Sequence, residues 1–279
     1  MVKKDVTVDN LKELARQLRK DIIQTTVWAG SGHVGGAMSA ADYLVALYFK
    51  YLNIDPKDCN KPDRDRFILS KGHSAVGYIP CLALAGFFPK ENLKRFNHFM
   101  SPFGMHPDAL KVPGCDCSTG SLGHGLPIGV GICLGAKLQK QTYKTVVMLG
   151  DGECCEGSNY EAMMAASHYK LDNLIAIVDR NGLMIDGKTE DVMALEPFAD
   201  KWRAFGWNVI EVADGNDMQQ VCDSLDQAWE GVEGKPTVII AKTIKGKGVS
   251  FMEDDVKWHY GAIDSEKAAI AFSDIEKGI

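Results

Sequence analysis

The stretch Thr145-Val146-Val147-Met148-Leu149-Gly150-Asp151-Gly152-Glu153 decides the fold. A β-branched, apolar run stops at Gly-Asp-Gly, which is how a buried strand opens into a turn. A second such run, residues 174–178, ends in Asp179-Arg180-Asn181-Gly182, and residues 160–169 between the two suit a helix. Two more strands are predicted at residues 207–212 and 237–241, separated by a helical stretch at 218–229. Strands alternating with helices imply an α/β fold, a parallel sheet flanked by helices on both faces.

Working outward, Asn10 reads as a helix N-cap with Glu13 three residues on, and Leu11, Leu14, Ala15, Leu18 and Ile22 mark one helical face. A second helical stretch follows Ser39, with Leu44, Leu47, Tyr48 and Tyr51 on one side. Residues 60–131 are rich in Gly, Pro and His and read as loops, the usual carriers of function on a rigid scaffold. No repeat or Pro/Ser-rich linker interrupts the chain, so residues 1–279 are expected to form a single domain.

The chain has 279 residues, 46% hydrophobic and 24% charged, which excludes disorder throughout. Its 31 Lys+Arg against 37 Asp+Glu give a net charge of −6, without the basic excess of a nucleic-acid binder. There is no run long and apolar enough for a membrane helix, and no apolar segment follows the first charges. The eight cysteines form no Cys-x-x-Cys pair, so free thiols in a reducing cytoplasm are expected rather than a zinc site.

In an open α/β sheet, ligands sit beyond the carboxyl ends of the strands. Asp151 and Asn181, thirty residues apart, would lie side by side if their strands are neighbours. A carboxylate, an amide oxygen and nearby carbonyls are hard donors suited to Mg²⁺ or Ca²⁺ completed by phosphate oxygens. The helix opening near Gly157 can direct free N–H groups at the same anion.

Gly150-Asp151-Gly152 followed by Asn181 resembles the diphosphate-binding motif of thiamine diphosphate enzymes. Ser31-Gly32-His33, Leu69-Ser70-Lys71-Gly72-His73, Gly104-Met105-His106-Pro107, Thr119-Gly120-Ser121-Leu122-Gly123-His124-Gly125 and Lys245-Gly246-Lys247-Gly248 with Trp258-His259 are similar to transketolase segments, in family order, across roughly residues 10–265. The resemblance implies thiamine diphosphate with Mg²⁺ or Ca²⁺, held by Asp151, Asn181 and the Leu183 carbonyl. It implies cofactor contacts at His73, Gly120, Ser121, Leu122, Gly150, Gly152, Glu153, Asn181 and His259. It implies catalytic roles for His33, His73, His106 and His259, and for Glu156 a link between two active sites. The reaction implied is transfer of a two-carbon ketol unit from a ketose to an aldose through a thiamine diphosphate adduct. Imidazoles suit it, because they donate or accept near neutral pH.

Three positions depart from the family pattern: His124 stands where relatives often carry Gln, Val34 where Pro is common, and Arg180 before the asparagine. The resemblance also implies a pyrimidine-binding section that residues 1–279 do not contain. The expectation is therefore one subunit of a split transketolase, paired with a separate C-terminal subunit, two copies of each. A rival reading is the α subunit of a 2-oxo acid dehydrogenase, which shares the metal motif but has less use for three sugar-facing histidines. Gly30, Gly32 and Gly35 satisfy Gly-x-Gly-x-x-Gly, but a helical stretch rather than a strand precedes them, against a dinucleotide fingerprint. A scaffold that has lost its chemistry is disfavoured by the intact metal pair and histidines.

Overall fold

A computed structural model describes residues 5–278. Five parallel strands, β1 (Arg66–Leu69), β2 (Thr145–Gly150), β3 (Leu174–Arg180), β4 (Asn208–Val212) and β5 (Thr237–Lys242), form one sheet in the order β1-β2-β3-β5-β4. The helices in chain order are α1 (Val8–Ala29), α2 (Val34–Ser39), α3 (Ala41–Ala46), α4 (Ala75–Leu84), α5 (Gly125–Leu138), α6 (Gly157–His168), α7 (Thr189–Val192), α8 (Phe198–Ala204), α9 (Met218–Glu230) and α10 (Ser265–Lys277).

Side chains alternate across the sheet, so each strand feeds two cores. Phe67, Val146, Met148, Ile175, Ile177 and Ile239 face one cluster, shared with α1, α3, α4, α9 and α10. Ile68, Val147, Leu149, Ala176, Val178 and Val238 face the other, with α5, α6, Trp202 and Trp207. This is the expected parallel sheet with helices on both faces.

Two readings of the sequence need correction. The first helix is capped by Thr7, whose hydroxyl accepts from Asn10 N–H at 3.2 Å; Asn10 itself is helical, because the cap that satisfies a free N–H lies three residues upstream. Residues 60–131 are not all loops: they hold β1, α4 and the start of α5. Strand β1 has only four residues, too few to display a period, and α4 and α5 are apolar nearly all round, so neither shows a polar stripe. The helical stretch expected after Ser39 is present, as α3 running on into a π-helical turn at Leu47–Tyr51, with Leu44, Leu47, Tyr48 and Tyr51 all buried.

Close packing at the strand ends depends on glycine. A methyl group on Gly72 would lie 2.6 Å from Thr119 Oγ1 and 2.8 Å from the Thr119 carbonyl oxygen, while Thr119 Oγ1 donates to Leu69 O at 2.7 Å. The segment after β1 and the 119–125 loop are thus pressed together by a missing side chain. Gly72→Ala should therefore cost about 1–3 kcal/mol of stability, the usual penalty of forced overpacking. Urea unfolding checks this, and an unchanged midpoint would contradict the packing described.

Candidate active site

The register Gly150↔Asp179 carries the ends of β2 and β3 out of the sheet together. Asp151 follows on one strand and Asn181 on the other, and both line one cavity of about 190 Å³ with Gly150, Gly152, Glu153, Leu183, Leu122, His73 and His259. Asp151 is 2% exposed. Its Oδ1 accepts from Gly152 N–H at 2.8 Å, and its Oδ2 from Gly182 N–H at 2.6 Å and Arg180 Nη1 at 3.3 Å. Burial, helped by the charge of Asp179, pushes its carboxyl above the usual range.

Asn181 is oriented by its amide. Its Nδ2 donates to Asp179 Oδ2 at 3.2 Å, which fixes Oδ1 as the opposite atom, and Oδ1 accepts from Leu183 N–H at 3.1 Å. Asp179, missed in the sequence, is a hub. It pairs with Lys71, accepts from Ser39 Oγ at 2.6 Å and is bonded by Thr243. Burial alone would raise its carboxyl, but Lys71 and these donors hold it below the ordinary range. Lys71 also donates to Gly36 O at 2.7 Å. The one signal available was a single Asp closing an otherwise apolar strand.

Lys245 likewise has no role that its sequence context reveals. It is 2% exposed, donates to Leu183 O and to His259 Nδ1, each at 2.9 Å, and has no carboxylate partner among the described residues. Burial lowers its pKa to about 8. A buried ammonium without an anion is a place prepared for one.

Three of the four expected histidines meet. The ring centroids of His33 and His73 are 5.0 Å apart, those of His73 and His259 5.3 Å and those of His33 and His259 5.6 Å. Burial comes first in lowering each of them, with neighbouring histidine and lysine charges adding to it: His33 to about 4, His259 to about 3 and His73 to about 2. His106 is exposed and stands by Gly120, whose added Cβ would lie 3.7 Å from its ring. Gly120 and Ser121 are exposed and do not line the cavity, whereas Leu122 does. Tyr260, also missed, lies 4.8 Å from His33 by ring centroid and donates to Ser31 Oγ at 2.9 Å.

Glu153 lines the cavity, but its oxygens are taken by Ser70, Gly123 N–H at 2.9 Å and Gly150 N–H at 3.0 Å. It therefore ties three loops together. His124 plays no such part: its Nδ1 lies 3.1 Å from Leu122 O and it is exposed. Gly30-Ser31-Gly32 follows α1 rather than a strand, in keeping with the rejected dinucleotide reading.

The residues fit a divalent cation and a diphosphate. Among the described residues no three His, Cys, Asp or Glu side chains cluster around a metal position. One carboxylate, one amide oxygen and one carbonyl leave coordination positions for phosphate oxygens, as Mg²⁺ prefers. An added Cβ on Gly152 would come within 2.9 Å of Met184 Cγ, so any larger residue would push the Met184 side chain out of its place in this wall.

Comparison with known proteins agrees with this geometry. The family described as transketolase, thiamine diphosphate binding domain, matches residues 8–273. The chain is 42% identical to one of the subunits of an apulose-4-phosphate transketolase from Phocaeicola vulgatus, covering 98% of this chain and 96% of that one. It is 39% identical to a 6-deoxy-6-sulfo-D-fructose transketolase subunit of a Clostridium species, covering 96% and 97%. The solved transketolase of Campylobacter jejuni superposes with a TM-score of 0.87 at 30% identity over 96% of this chain, which spans only 42% of that longer protein. These likenesses favour transketolase over the 2-oxo acid dehydrogenase. No helix among the described residues is long and apolar enough to cross a membrane.

Protonation gives a direct check. The unfolded chain takes up histidine protons near pH 6.5, whereas folded His33 refuses one until about pH 4. Stability from this group is present above pH 6.5 and is lost as pH falls toward 4. Between those values the melting temperature of the natural chain should fall more steeply than that of His33→Asn. Parallel profiles would contradict a neutral, half-buried His33.

Proposed function

The chain belongs to the transketolase thiamine diphosphate-binding family, and from that premise we propose that it is the diphosphate-binding subunit of a two-chain transketolase. In this reading residues 1–279 act as one unit beside a separate pyrimidine-binding C-terminal subunit, two copies of each, in the cytoplasm. The complex moves a two-carbon ketol unit from a ketose or ketose phosphate to an aldose or aldose phosphate. The observation that carries it is the cavity where Asp151, Asn181 and Leu183 adjoin Lys245 and the histidines. End-to-end likeness to chains named as transketolase subunits supports the two-chain arrangement.

When bound, thiamine diphosphate supplies the nucleophilic carbon that accepts and passes on the two-carbon unit. Asp151, Asn181 Oδ1 and Leu183 O would hold Mg²⁺ or Ca²⁺ against its diphosphate, with Gly150, Gly152 and Lys245 beside the anion. The Lys245 ammonium donates to His259 Nδ1, so that nitrogen is an acceptor and His259 carries its hydrogen on Nε2. His33 Nδ1 is buried and has no partner among the described residues, which leaves it free for a substrate hydroxyl. Held neutral by burial and by neighbouring cations, His33, His73 and His259 can each donate or accept a hydrogen bond at neutral pH. His106, beside Gly120, is the residue assigned to proton transfer. Exposed Glu156, which would touch an added Cβ on Gly123 at 2.5 Å, is the residue assigned to the contact between two sites.

Two experiments test the reading. Mixed with Mg²⁺, thiamine diphosphate and a separate C-terminal transketolase subunit, the protein should transfer ketol units, and alone it should not. Transfer by this chain alone would refute the two-chain arrangement. Asp151→Asn should weaken metal-dependent cofactor binding in the complex by at least ~100-fold, above the range seen when only a ligand's supporting bond is lost. Unchanged affinity by calorimetry would remove Asp151 from the metal site.

A further inference from the structure

Arg180 stands one hydrogen bond from Asp151, where the metal reading calls for no cation. Its side chain is 14% exposed and fans across four acceptors. Nη1 reaches Asp151 Oδ2 at 3.3 Å and Thr189 Oγ1 at 2.7 Å. Nη2 reaches Glu190 Oε1 at 2.8 Å and Glu196 Oε1 at 3.0 Å, and the guanidinium lies 5.6 Å from the Phe198 ring centroid. One fixed cation thus joins the carboxylate at the end of β2 to α7 and the segment that follows it.

We propose that Arg180 makes cation loading depend on diphosphate loading: it repels a divalent ion that arrives alone and favours one that arrives with the anion. This rests on Asp151 and Asn181 being metal ligands. The single charge of Asp151 is already shared with Arg180, so a bare dication there sits beside a fixed positive charge. Lys71 and Lys245 line the same cavity and add to the repulsion. In a partly buried setting such charges act several-fold more strongly than in water. A diphosphate reverses the balance, because its negative charges enter the cavity that Lys71 and Lys245 line, while Arg180 borders that cavity through its bond to Asp151. Glu190 and Glu196 temper Arg180 from the solvent side, their side chains 41% and 61% exposed.

The test is Mn²⁺ titration of the full chain followed by electron paramagnetic resonance, without and with inorganic pyrophosphate. The natural chain should bind Mn²⁺ weakly alone and much more tightly with pyrophosphate. In Arg180→Gln, binding of Mn²⁺ alone should tighten on the order of tenfold, with the pyrophosphate enhancement shrinking by a similar factor. The double variant Glu190→Gln/Glu196→Gln loosens the same segment but leaves Arg180 less neutralised, so its Mn²⁺ affinity should fall. A change in the same direction in both variants would mark a structural effect and overturn the proposal, as would an unaltered Arg180→Gln. If the natural chain binds no Mn²⁺ even with pyrophosphate, the metal-site reading itself fails, and the role of Arg180 with it.

Discussion

An ammonium and a carboxylate shut away from water, Lys71 against Asp179, hold the strand ends in their working arrangement. Each is 2% exposed, so removing either partner would strand a charge in the interior, a loss typically of about 3–5 kcal/mol. The pair also has geometric consequences. Lys71 follows β1, Asp179 lies in β3, and Lys71 reaches Gly36 in α2. Asp179 in turn orients the Asn181 amide and engages Ser39 and Thr243. Four separate segments of the chain are thereby fixed around one oxygen-lined corner.

The corner is electrically balanced in a particular way. Lys71, Lys245 and Arg180 supply positive charge, and Asp151, Asp179 and Glu153 supply carboxylates that are 2–3% exposed. Asp179 and Glu153 are bonded by internal donors, and Asp151, bonded by Gly152, Gly182 and Arg180, is the carboxylate proposed to take the metal. Lys245 is left without a carboxylate partner among the described residues, and burial, with the surrounding positive charge adding to it, keeps the three clustered histidines neutral. A cation and a polyanion entering together complete this set, where either alone would unbalance it. Neutral imidazoles beside that anion are then available for a substrate rich in hydroxyls.

The strands β2, β3, β4 and β5 were legible because each is an apolar run closed by turn residues, and Asp151 with Asn181 followed from adjacency of two such ends. Strand β1 was not, because four residues carry no period and its place at the sheet edge is settled by pairing with β2. Helices α4 and α5 hid in a Gly-rich region because their sequences are apolar nearly all round and carry no polar stripe. At the site, the motifs named the histidines and the proposed metal pair, of which His73, His259, Asp151 and Asn181 line one cavity. Lys71 and Lys245 lay inside those motifs, but a lysine reads as solvent-facing until the fold shows it buried. Glu153, expected at the cofactor, lines the cavity and is bonded to Ser70, Gly123 and Gly150, partners that lie far apart in sequence.

Anomalous diffraction from a crystal of the assembled enzyme grown with Mn²⁺ and thiamine diphosphate bears most directly on the central claim. The account predicts one strong manganese peak within coordinating distance of an Asp151 carboxylate oxygen, Asn181 Oδ1 and Leu183 O, in contact with the diphosphate. A cofactor bound with its metal elsewhere, or with Asp151 and Asn181 turned away from it, would contradict the account.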